Sequence, residues 1–346
     1  MKKIILAVIS ITVLAFSLFG CGSQKIEEET SASNDSTASA DNDEIIKIGY
    51  SAWTGWYPWA IADEMGFFEK EGVNAETVYF PVYSDQFQAY SSGNLDLVSI
   101  SLCDMVPPVS SGVDVVGFLV NDNSYGGDCL MATNGITKLE DLKGKTIAVE
   151  IGCLSHYLAL HAIESVGLTE NDVTFTNMTM ADASTALISG QIDAAQICEP
   201  YVSTAEKEGN VTKLFSTKET PGLIPDMTAT SSTFMKEHKD DLIKITKAWY
   251  DAMDYIQNHR DEAVKIMAEK AGTSDDEFNT MLDGIKLFSV EDNLTAFEKG
   301  DDYTSLSYTL GENAKFLNDQ KVVDDISMID DSLLDASIVE EIGKSK

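Results

Sequence analysis

The sequence is nearly without arginine. Its 346 residues include 24 lysines and arginines against 57 aspartates and glutamates, and Arg260 is the only arginine. The formal net charge of −33 predicts repulsion from nucleic acid and from anionic lipid headgroups, so we expect no nucleic-acid partner. Arginine is the usual residue for bidentate binding of sulfonate or phosphate. Any anion site here would therefore depend on lysine, backbone N–H groups or helix N-termini.

Catalytic motifs are missing as well. The sequence contains no GxSxG motif, no P-loop and no glycine-rich dinucleotide turn, and it has four histidines in all. We therefore predict that the chain is not an enzyme and that it needs no cofactor. Hydrophobic residues make up 44% of the chain and charged residues 23%, which is typical of a globular protein. The length is sufficient for two lobes.

The first twenty residues have the pattern of a bacterial export signal. Two lysines follow Met1, an apolar run then continues to Phe19, and Gly20 precedes Cys21. The apolar run is short for a membrane span. A cysteine after a small residue resembles a lipobox, at which bacterial lipoproteins are cut and acylated. We therefore predict a lipoprotein signal peptide at 1–20 and lipidation of Cys21.

Residues 21–44 are predicted to be a disordered tether, because they are mostly small, polar or charged and have almost nothing to bury. The folded part is then expected to work outside the cytoplasm, anchored by lipid to the cell membrane. The alternative is an ordinary secretory signal or a single membrane anchor in which the cysteine is incidental.

The other cysteines do not define a site by their spacing. They are Cys103, Cys129, Cys153 and Cys198. No CxxC or HxxxH spacing occurs, so we predict no metal site. Two alternatives stay open. The thiolates could bind a soft metal together with His156, and an extracytoplasmic location would permit a disulfide whose pairing the sequence does not determine.

Strand and helix patterns alternate along the rest of the chain. A β-branched run such as 95–101 is followed each time by a helical pattern, which predicts parallel strands with flanking helices. The alternation occurs in two rounds. We therefore predict an α/β fold of two hinged lobes, one at 45–130 and 229–346 and the other at 131–228. The helices after Asp275 are expected to cover the sheet of the former lobe. Ligands bind outside the carboxyl ends of strands, so we expect the ligand in the cleft between the lobes.

Several stretches resemble one known family. They are GYSAWTGWYPW at 49–59, ADEMGFFEKEGV at 62–73, GNLD at 93–96, LEDLKGKTIAV at 139–149, GQIDAA at 190–195 and EPY at 199–201. Over about residues 45–270 the chain is similar to the substrate-binding proteins of ABC importers in the nitrate/sulfonate/taurine group, the NMT1/THI5-like family. Many relatives have tryptophan before the glutamate of the last motif. This chain has Cys198 before Glu199, which removes an aromatic wall.

The resemblance implies a fold, a function and partners. The fold would be the type II periplasmic-binding-protein fold, with a hinge and an interlobe cleft. The protein would capture a small solute and deliver it to an ABC permease and its ATPase, and we expect it to be a monomer.

Polar and aromatic residues after the predicted strands are the candidate ligand-binding residues. They are Trp53, Thr54, Trp56, Ser101, Asp128, Ser155, His156 and Glu199. The tryptophan rings could sandwich a flat or cationic solute, or they could pack against the helix from Pro58. The serines and the N–H groups near His156 offer hydrogen bonds, although His156 could instead be a solvated residue of a first helical turn. Asp104 could be a helix N-cap.

The predicted ligand is amine-bearing or heteroaromatic. Asp128 and Glu199 are carboxylates beside tryptophans in a chain almost without arginine, and they would accept hydrogen bonds from ligand N–H groups. By resemblance, the solute would be of the nitrate/sulfonate/taurine or thiamine-pyrimidine type. The alternatives are a metal-binding or ligand-sensing surface lipoprotein, or an enzyme of pyrimidine metabolism. The last shares the fold, but its cysteine-rich signature is absent from this sequence.

Overall fold

A computed structural model describes residues 45–133 and 135–344 of the chain. The predicted signal peptide, the predicted lipidation site Cys21 and the predicted tether lie outside the described residues. Within the described part, no helix combines the length and the apolar character that a membrane crossing requires.

The described residues alternate between strands and helices. The strands are β1 (Ile46–Ser51), β2 (Ala75–Phe80), β3 (Leu97–Ser101), β4 (Val116–Ser124), β5 (Asp128–Thr133), β6 (Thr146–Val149), β7 (Thr174–Asn177), β8 (Ala194–Cys198), β9 (Val211–Ser216), β10 (Pro225–Thr230) and β11 (Ile285–Leu287). The α-helices are α1 (Pro58–Glu64), α2 (Phe67–Glu71), α3 (Tyr83–Ser91), α4 (Val106–Ser110), α5 (Leu154–Glu164), α6 (Met180–Ile188), α7 (Tyr201–Glu208), α8 (Ser232–Glu237), α9 (Lys239–Asn258), α10 (Arg260–Ala271), α11 (Asp275–Leu282), α12 (Val290–Phe297), α13 (Leu306–Asp319) and α14 (Ser337–Lys344).

Local sequence explains where several helices begin and end. α1 begins at Pro58. Proline has no backbone N–H, and at the first position of a helix this group would have no partner within the helix. α2 ends at Gly72, whose φ of 72° lies in the left-handed region that glycine adopts without strain. α11 and α12 follow Ser274 and Ser289, whose hydroxyls accept hydrogen bonds from backbone N–H groups of the first turn.

The first sheet has the strand order β11-β4-β10-β3-β1-β2. β1 runs parallel to β2 and β3, whereas β10 runs antiparallel to β3 and β4, and β11 runs antiparallel to β4. The prediction of a parallel sheet was wrong for β10. The chain enters β10 from the second sheet, so this strand begins at the edge of the first sheet where β3 and β4 end.

The second sheet has the strand order β7-β6-β8-β5-β9. β6 is parallel to β7 and β8, whereas β5 is antiparallel to β8 and β9. We call the residues of the first sheet and its helices, 45–124 and 225–344, the first lobe, and 128–216 the second lobe. The chain crosses between the lobes through 125–127 and 217–224.

The crossings lie slightly earlier in the chain than the predicted lobe boundaries at 131 and 229. β5, which was divided by the first boundary, pairs only with strands of the second sheet. β10, which was divided by the second boundary, pairs only with strands of the first. Both strands are continuous buried runs, so the hydrophobic pattern did not mark the point at which the chain changes sheet.

α13 contacts both lobes. In the first lobe it packs against α4. Its Phe316 ring lies 5.0 Å from the Tyr157 ring and 5.6 Å from the His156 ring, both on α5 of the second lobe. The phenol oxygens of Tyr157 and Tyr303, just before α13, are 3.4 Å apart. The C-terminal helices were expected to cover the first-lobe sheet. α14 packs on β4, but α13 connects the lobes.

Candidate functional site

Polar residues stand side by side at the ends of three neighbouring strands. Asp226 of β10 pairs in register with Ser101 of β3 on one side and with Asp122 of β4 on the other. Residues opposite each other in antiparallel strands project from the same face of the sheet. All three side chains are buried. We call Ser101, Asp226 and Asp122 the polar row.

The polar row lies at the edge of the first sheet that faces the second lobe. Burial is the main cause of the raised pKa values of Asp122 and Asp226, and the charge of Asp128 in the second lobe raises both further. Burial likewise raises the pKa of Asp104, which follows β3, and the charge of Glu150 in the second lobe adds to it. Asp122 lies two residues before Ser124, whose hydroxyl donates a hydrogen bond to Asp128 at the start of β5, so the row lies where the two lobes meet and borders the interlobe cleft.

Asp122 is held beneath the loop that follows β1. The Nε1 of Trp53 donates a hydrogen bond of 2.9 Å to its Oδ1. Its Oδ2 is buried and has no hydrogen-bond partner among the described residues. Gly55 packs directly against this carboxyl group, and a Cβ at position 55 would collide with it. Glycine is therefore required at 55 for Asp122 to be held in this position.

The acids of this site have no basic partner in an ion pair among the described residues. Burial raises the pKa of Asp122 from 3.8 to about 8 and the pKa values of Asp104 and Asp128 to about 6, and it raises the pKa of Asp226 well above 3.8. The other groups that act on these carboxyls are carboxylates, which raise the pKa values, and neutral hydrogen-bond donors, which lower them. Within the described part of the chain, no lysine, arginine or histidine is among these groups.

A tyrosine connects Ser101 to Asp104. The Tyr83 hydroxyl donates a hydrogen bond of 3.0 Å to Asp104 Oδ2 and accepts one of 3.2 Å from the Ser101 backbone N–H. Asp104 thus hydrogen-bonds a side chain rather than capping a helix. The Trp56 ring stacks on Tyr83 with centroids 5.6 Å apart. Trp56 is buried within the first lobe. This agrees with the alternative that the tryptophans pack inside the protein.

Several buried polar atoms beside the polar row are unsatisfied. They are Thr54 Oγ1, Trp56 Nε1 and Ser101 Oγ, none of which has a hydrogen-bond partner in the described part of the structure. Thr54 and Trp56 flank Gly55, which contacts Asp122. An unpaired buried donor or acceptor costs free energy, so a group of them at one edge indicates a place where a ligand supplies the missing hydrogen bonds.

Asp128 belongs to the hinge. The Ser124 hydroxyl donates a hydrogen bond of 2.7 Å to Asp128 Oδ2, and it lies 2.9 Å from the Thr217 hydroxyl. Thr217 also accepts a hydrogen bond of 2.8 Å from the Gly126 N–H. The two crossings between the lobes are therefore joined by hydrogen bonds at the position of Asp128.

Glu199 lies on the second-lobe side of the hinge. Its Oε2 accepts a hydrogen bond of 3.1 Å from the Ser203 N–H, and its own N–H donates to the Gly127 carbonyl at 2.9 Å. The side chain is partly exposed. Burial is the main cause of the raised pKa of Asp128. The Ser124 hydrogen bond lowers this pKa, and the charge of Glu199 raises it. Glu199 and Asp128 are thus neighbours, as are Trp53, Asp122 and Asp226.

Ser155 and His156 have local roles in the loop after β6. The Ser155 hydroxyl accepts a hydrogen bond of 2.9 Å from the Glu150 N–H, and His156 Nδ1 accepts one of 3.3 Å from the Gly152 N–H. The His156 ring packs against Phe175 and Phe316 and is buried, which lowers its pKa. His156 is therefore not a solvated first-turn residue, and the structure does not bring it to the polar row.

Asp122 and Asp226 were not among the predicted site residues. The prediction considered residues that follow strands, whereas both aspartates lie within strands whose residues are all buried. Burying a carboxylate is costly unless it is paired, so an aspartate that closely follows or precedes a run of strand-forming residues is itself a signal. That signal was present in the sequence and could have identified both residues.

The cysteines do not form a second site. Cys103, Cys129, Cys153 and Cys198 are all free in the structure. Burial raises the pKa of the Cys153 thiol to about 11, which favours the protonated form over the thiolate that a soft metal requires. In the two described ranges, no group of three or more His, Cys, Asp or Glu side chains is arranged to hold a metal ion.

Known proteins resemble the chain in sequence. A family model described as NMT1/THI5 like matches residues 53–263. A Bacillus subtilis protein provisionally named as an aliphatic sulfonates-binding protein is 27% identical over 275 residues, which is 78% of each chain. A Brachyspira hyodysenteriae protein provisionally named as an ABC transporter periplasmic binding protein is 25% identical over 278 residues, 74% of this chain and 75% of that one.

Solved structures share the fold. The periplasmic aliphatic sulphonate binding protein SsuA from Escherichia coli matches with a TM-score of 0.71 and 21% identity, over 84% of this chain and 92% of that one. The desulfurization enzyme DSZB matches with a TM-score of 0.60 and 13% identity, over 88% of this chain and 100% of that one. The predicted type II periplasmic-binding-protein fold is thus confirmed, and this fold carries both binding proteins and an enzyme. Because the family model spans more than half of the sequence, the chain belongs to the NMT1/THI5-like family.

Proposed function

We propose that this protein is the solute-binding component of an ABC importer. It works outside the cytoplasm, holds one small solute in the cleft between its lobes, and delivers the solute unchanged to a membrane permease and its ATPase. The names of the sequence relatives as periplasmic and ABC transporter binding proteins support this role. Closure of the lobes around the solute would shift an open–closed equilibrium about the crossings at 125–127 and 217–224.

The proposed solute is amine-bearing or heteroaromatic. One observation carries this proposal: no ion pair of the described residues includes Asp104, Asp122, Asp128 or Asp226 at the cleft edge. Sulfonate, which is named for two of the relatives, is an anion and would be repelled by the carboxylates of Asp104 and Asp128, whose pKa values of about 6 leave them ionised at neutral pH. A ligand with N–H groups would instead be attracted and would donate hydrogen bonds to them.

We propose that the solute contacts residues of both lobes. From the first lobe, Trp53 supplies an aromatic wall, and Thr54, Trp56 and Ser101 supply unsatisfied polar atoms. From the hinge and the second lobe, Asp128 and Glu199 supply carboxylates. Ser155 and His156 shape the loop after β6 and do not contact the solute in this proposal.

A thermal-shift panel tests the proposal. The purified protein is heated with methanesulfonate and nitrate in one half of the panel. The other half contains putrescine and 4-aminopyrimidine. A true ligand at 100 times its Kd stabilises the folded state by about 2.7 kcal/mol. We expect stabilisation from the amine-bearing half and none from the anions, and we expect mass spectrometry to recover the ligand unchanged.

Two results would contradict the proposal in different ways. Stabilisation by the anions alone would reject the ligand class and leave the solute-binding role in place. Recovery of a chemically altered compound would reject the binding role itself, since the shared fold with an enzyme shows that this architecture can carry catalysis.

We also propose that lipid on Cys21 anchors the protein to the membrane. Cys21→Ser is then expected to move most of the protein from the membrane fraction to the soluble fraction of cells, because the variant lacks the thiol to which the anchoring lipid is attached. Cys153→Ser is the matched control, since Cys153 is a free cysteine of the folded part. Membrane-bound Cys21→Ser protein would reject lipidation at this position.

A further inference from the structure

We propose that Asp122 and Asp226 together bind a positively charged nitrogen, an ammonium or amidinium group whose N–H bonds are shared between the two carboxylates. The inference rests on the proposed solute-binding function and assigns the recognition of charge to two residues of the polar row. It narrows the ligand from any amine-bearing or heteroaromatic solute to an organic cation.

The first argument is the position of the two side chains. Asp122 and Asp226 are register partners on adjacent antiparallel strands, so their side chains project from the same face at neighbouring positions. Both are buried at the cleft edge. Two ionised carboxylates at neighbouring positions repel each other, and a cation between them removes the repulsion.

The second argument is the hydrogen-bond capacity left open at this point. Trp53 uses one oxygen of Asp122 and leaves Oδ2 buried and unpartnered in the described structure. Ser101, the register partner of Asp226 on the opposite side, has a buried Oγ that is also unpartnered there. An ammonium has up to three N–H donors and an amidinium has four, so either can satisfy two carboxylates and a hydroxyl together.

The third argument is charge. The ion pairs of the described residues involve acids elsewhere on the surface, and none includes Asp122 or Asp226. A metal ion is disfavoured, because the described His, Cys, Asp and Glu side chains form no group that could hold one. The partially exposed Trp53 ring beside Asp122 adds a face suited to an organic cation.

The fourth argument is the protonation of Asp122 and Asp226. Besides each other, the groups facing the pair are Trp53 and Asp128 for Asp122, and Asp104 and Asp128 for Asp226, with the Tyr83 hydroxyl near Asp226. None of these is basic. Without a ligand the pair therefore retains a proton near neutral pH, and the arrival of a cation that favours both carboxylates in ionised form releases about one proton to solvent.

The experiment compares probes that differ in charge but not in shape. Benzamidine carries an amidinium and benzamide a neutral amide on the same ring, and butylamine and butanol form a second pair. Thermal shift ranks the probes together with putrescine and agmatine. The cation with the largest shift is then titrated by calorimetry against the wild type and three variants, Asp122→Asn, Asp226→Asn and Asp319→Asn. Asp319 is an exposed acid at the end of α13 and controls for the loss of one negative charge.

We expect each cationic probe to stabilise more than its neutral partner. Asp122→Asn and Asp226→Asn should each weaken binding by about tenfold or more, and Asp319→Asn by less than about twofold. The binding enthalpy of the wild type at pH 7 should vary with the ionisation enthalpy of the buffer, with a slope that corresponds to proton release, and Asp122→Asn should reduce that slope. If Asp122→Asn folds poorly by circular dichroism, Asp226→Asn provides the same test without altering the side chain that accepts the Trp53 hydrogen bond.

Contrary results separate this inference from the proposed function. A cation that binds both asparagine variants as tightly as the wild type would overturn the inference and leave the solute-binding proposal standing. Stabilisation by neutral or anionic compounds alone would overturn the inference and the proposed ligand class together. The absence of any shift from every cationic probe would also overturn the inference.

Discussion

Replacing Asp226 with asparagine is expected to raise the melting temperature of the ligand-free protein, and to raise it more at pH 8 than at pH 5. Asp226 is buried beside Asp122, and the named groups around it are other carboxyls. Asparagine has nearly the same shape and carries no charge, so it removes the cost of burial and repulsion. Removal of a buried group from a binding site commonly stabilises the fold in this way.

The pH dependence follows from the direction of the pKa shifts. Burial raises the folded-state pKa of Asp122 to about 8 and that of Asp226 well above 3.8, whereas in the unfolded chain both ionise near 3.8. Below pH 3.8 both aspartates are protonated in the folded and in the unfolded state, so their ionisation does not lower stability. As the pH rises through the interval from 3.8 to about 8, the unfolded state loses protons that the folded state retains, so stability falls. The advantage of Asp226→Asn therefore grows over this interval.

The expected size is at least about 1.4 kcal/mol at pH 8, the equivalent of one pKa unit, or about 3 °C or more in Tm. Thermal unfolding followed by circular dichroism from pH 4 to pH 8 measures it. Asp319→Asn should change stability by less than about 0.5 kcal/mol at every pH. A destabilised Asp226→Asn protein, or a gain that does not change with pH, would show that Asp226 has a structural partner in the folded state.

Phe316→Ala is expected to cost about 3 to 5 kcal/mol in the free energy of unfolding and to loosen the contact between the lobes. Phe316 of α13 packs against the rings of Tyr157 and His156 on α5. Truncation leaves a cavity at the place where the first lobe meets the second. The substitution therefore weakens the contact between the lobes and also lowers the free energy of unfolding.

A matched variant separates these two effects. Phe278→Ala removes a ring that is fully buried within the first lobe, 5.2 Å from the Tyr57 ring, and should cost a similar free energy in urea denaturation. Small-angle X-ray scattering then measures the radius of gyration in native buffer. We expect it to increase for Phe316→Ala and to remain at the wild-type value for Phe278→Ala. An unchanged radius for both variants would mean that the Phe316 contact does not restrain the lobes.

The sequence predicted the architecture because its signals are local. Apolar runs, Pro58 at the start of α1 and Gly72 at the end of α2 report on the residues beside them, and the two rounds of alternation predicted two sheets. Strand direction was not predictable in the same way. Whether β10 runs parallel or antiparallel to its neighbours depends on where the chain returns from the second sheet, and no local pattern records that point.

The candidate site shows the same division. The sequence showed an excess of acid, a single arginine and tryptophans after the first strand, and from these it predicted a ligand with N–H groups. It also suggested His156 as a ligand contact, but it did not show that the ring packs against Phe175 and against Phe316, which is far away in the chain.

Composition and local pattern alone determined the fold class and predicted the export signal and a ligand with N–H groups. Only the tertiary structure decided that Asp122 and Asp226 stand opposite each other, with Trp53 bound to one of them. The physical reason is that pairing between distant strands, and the burial that raises these pKa values, arise from contacts that form when the sheet is assembled.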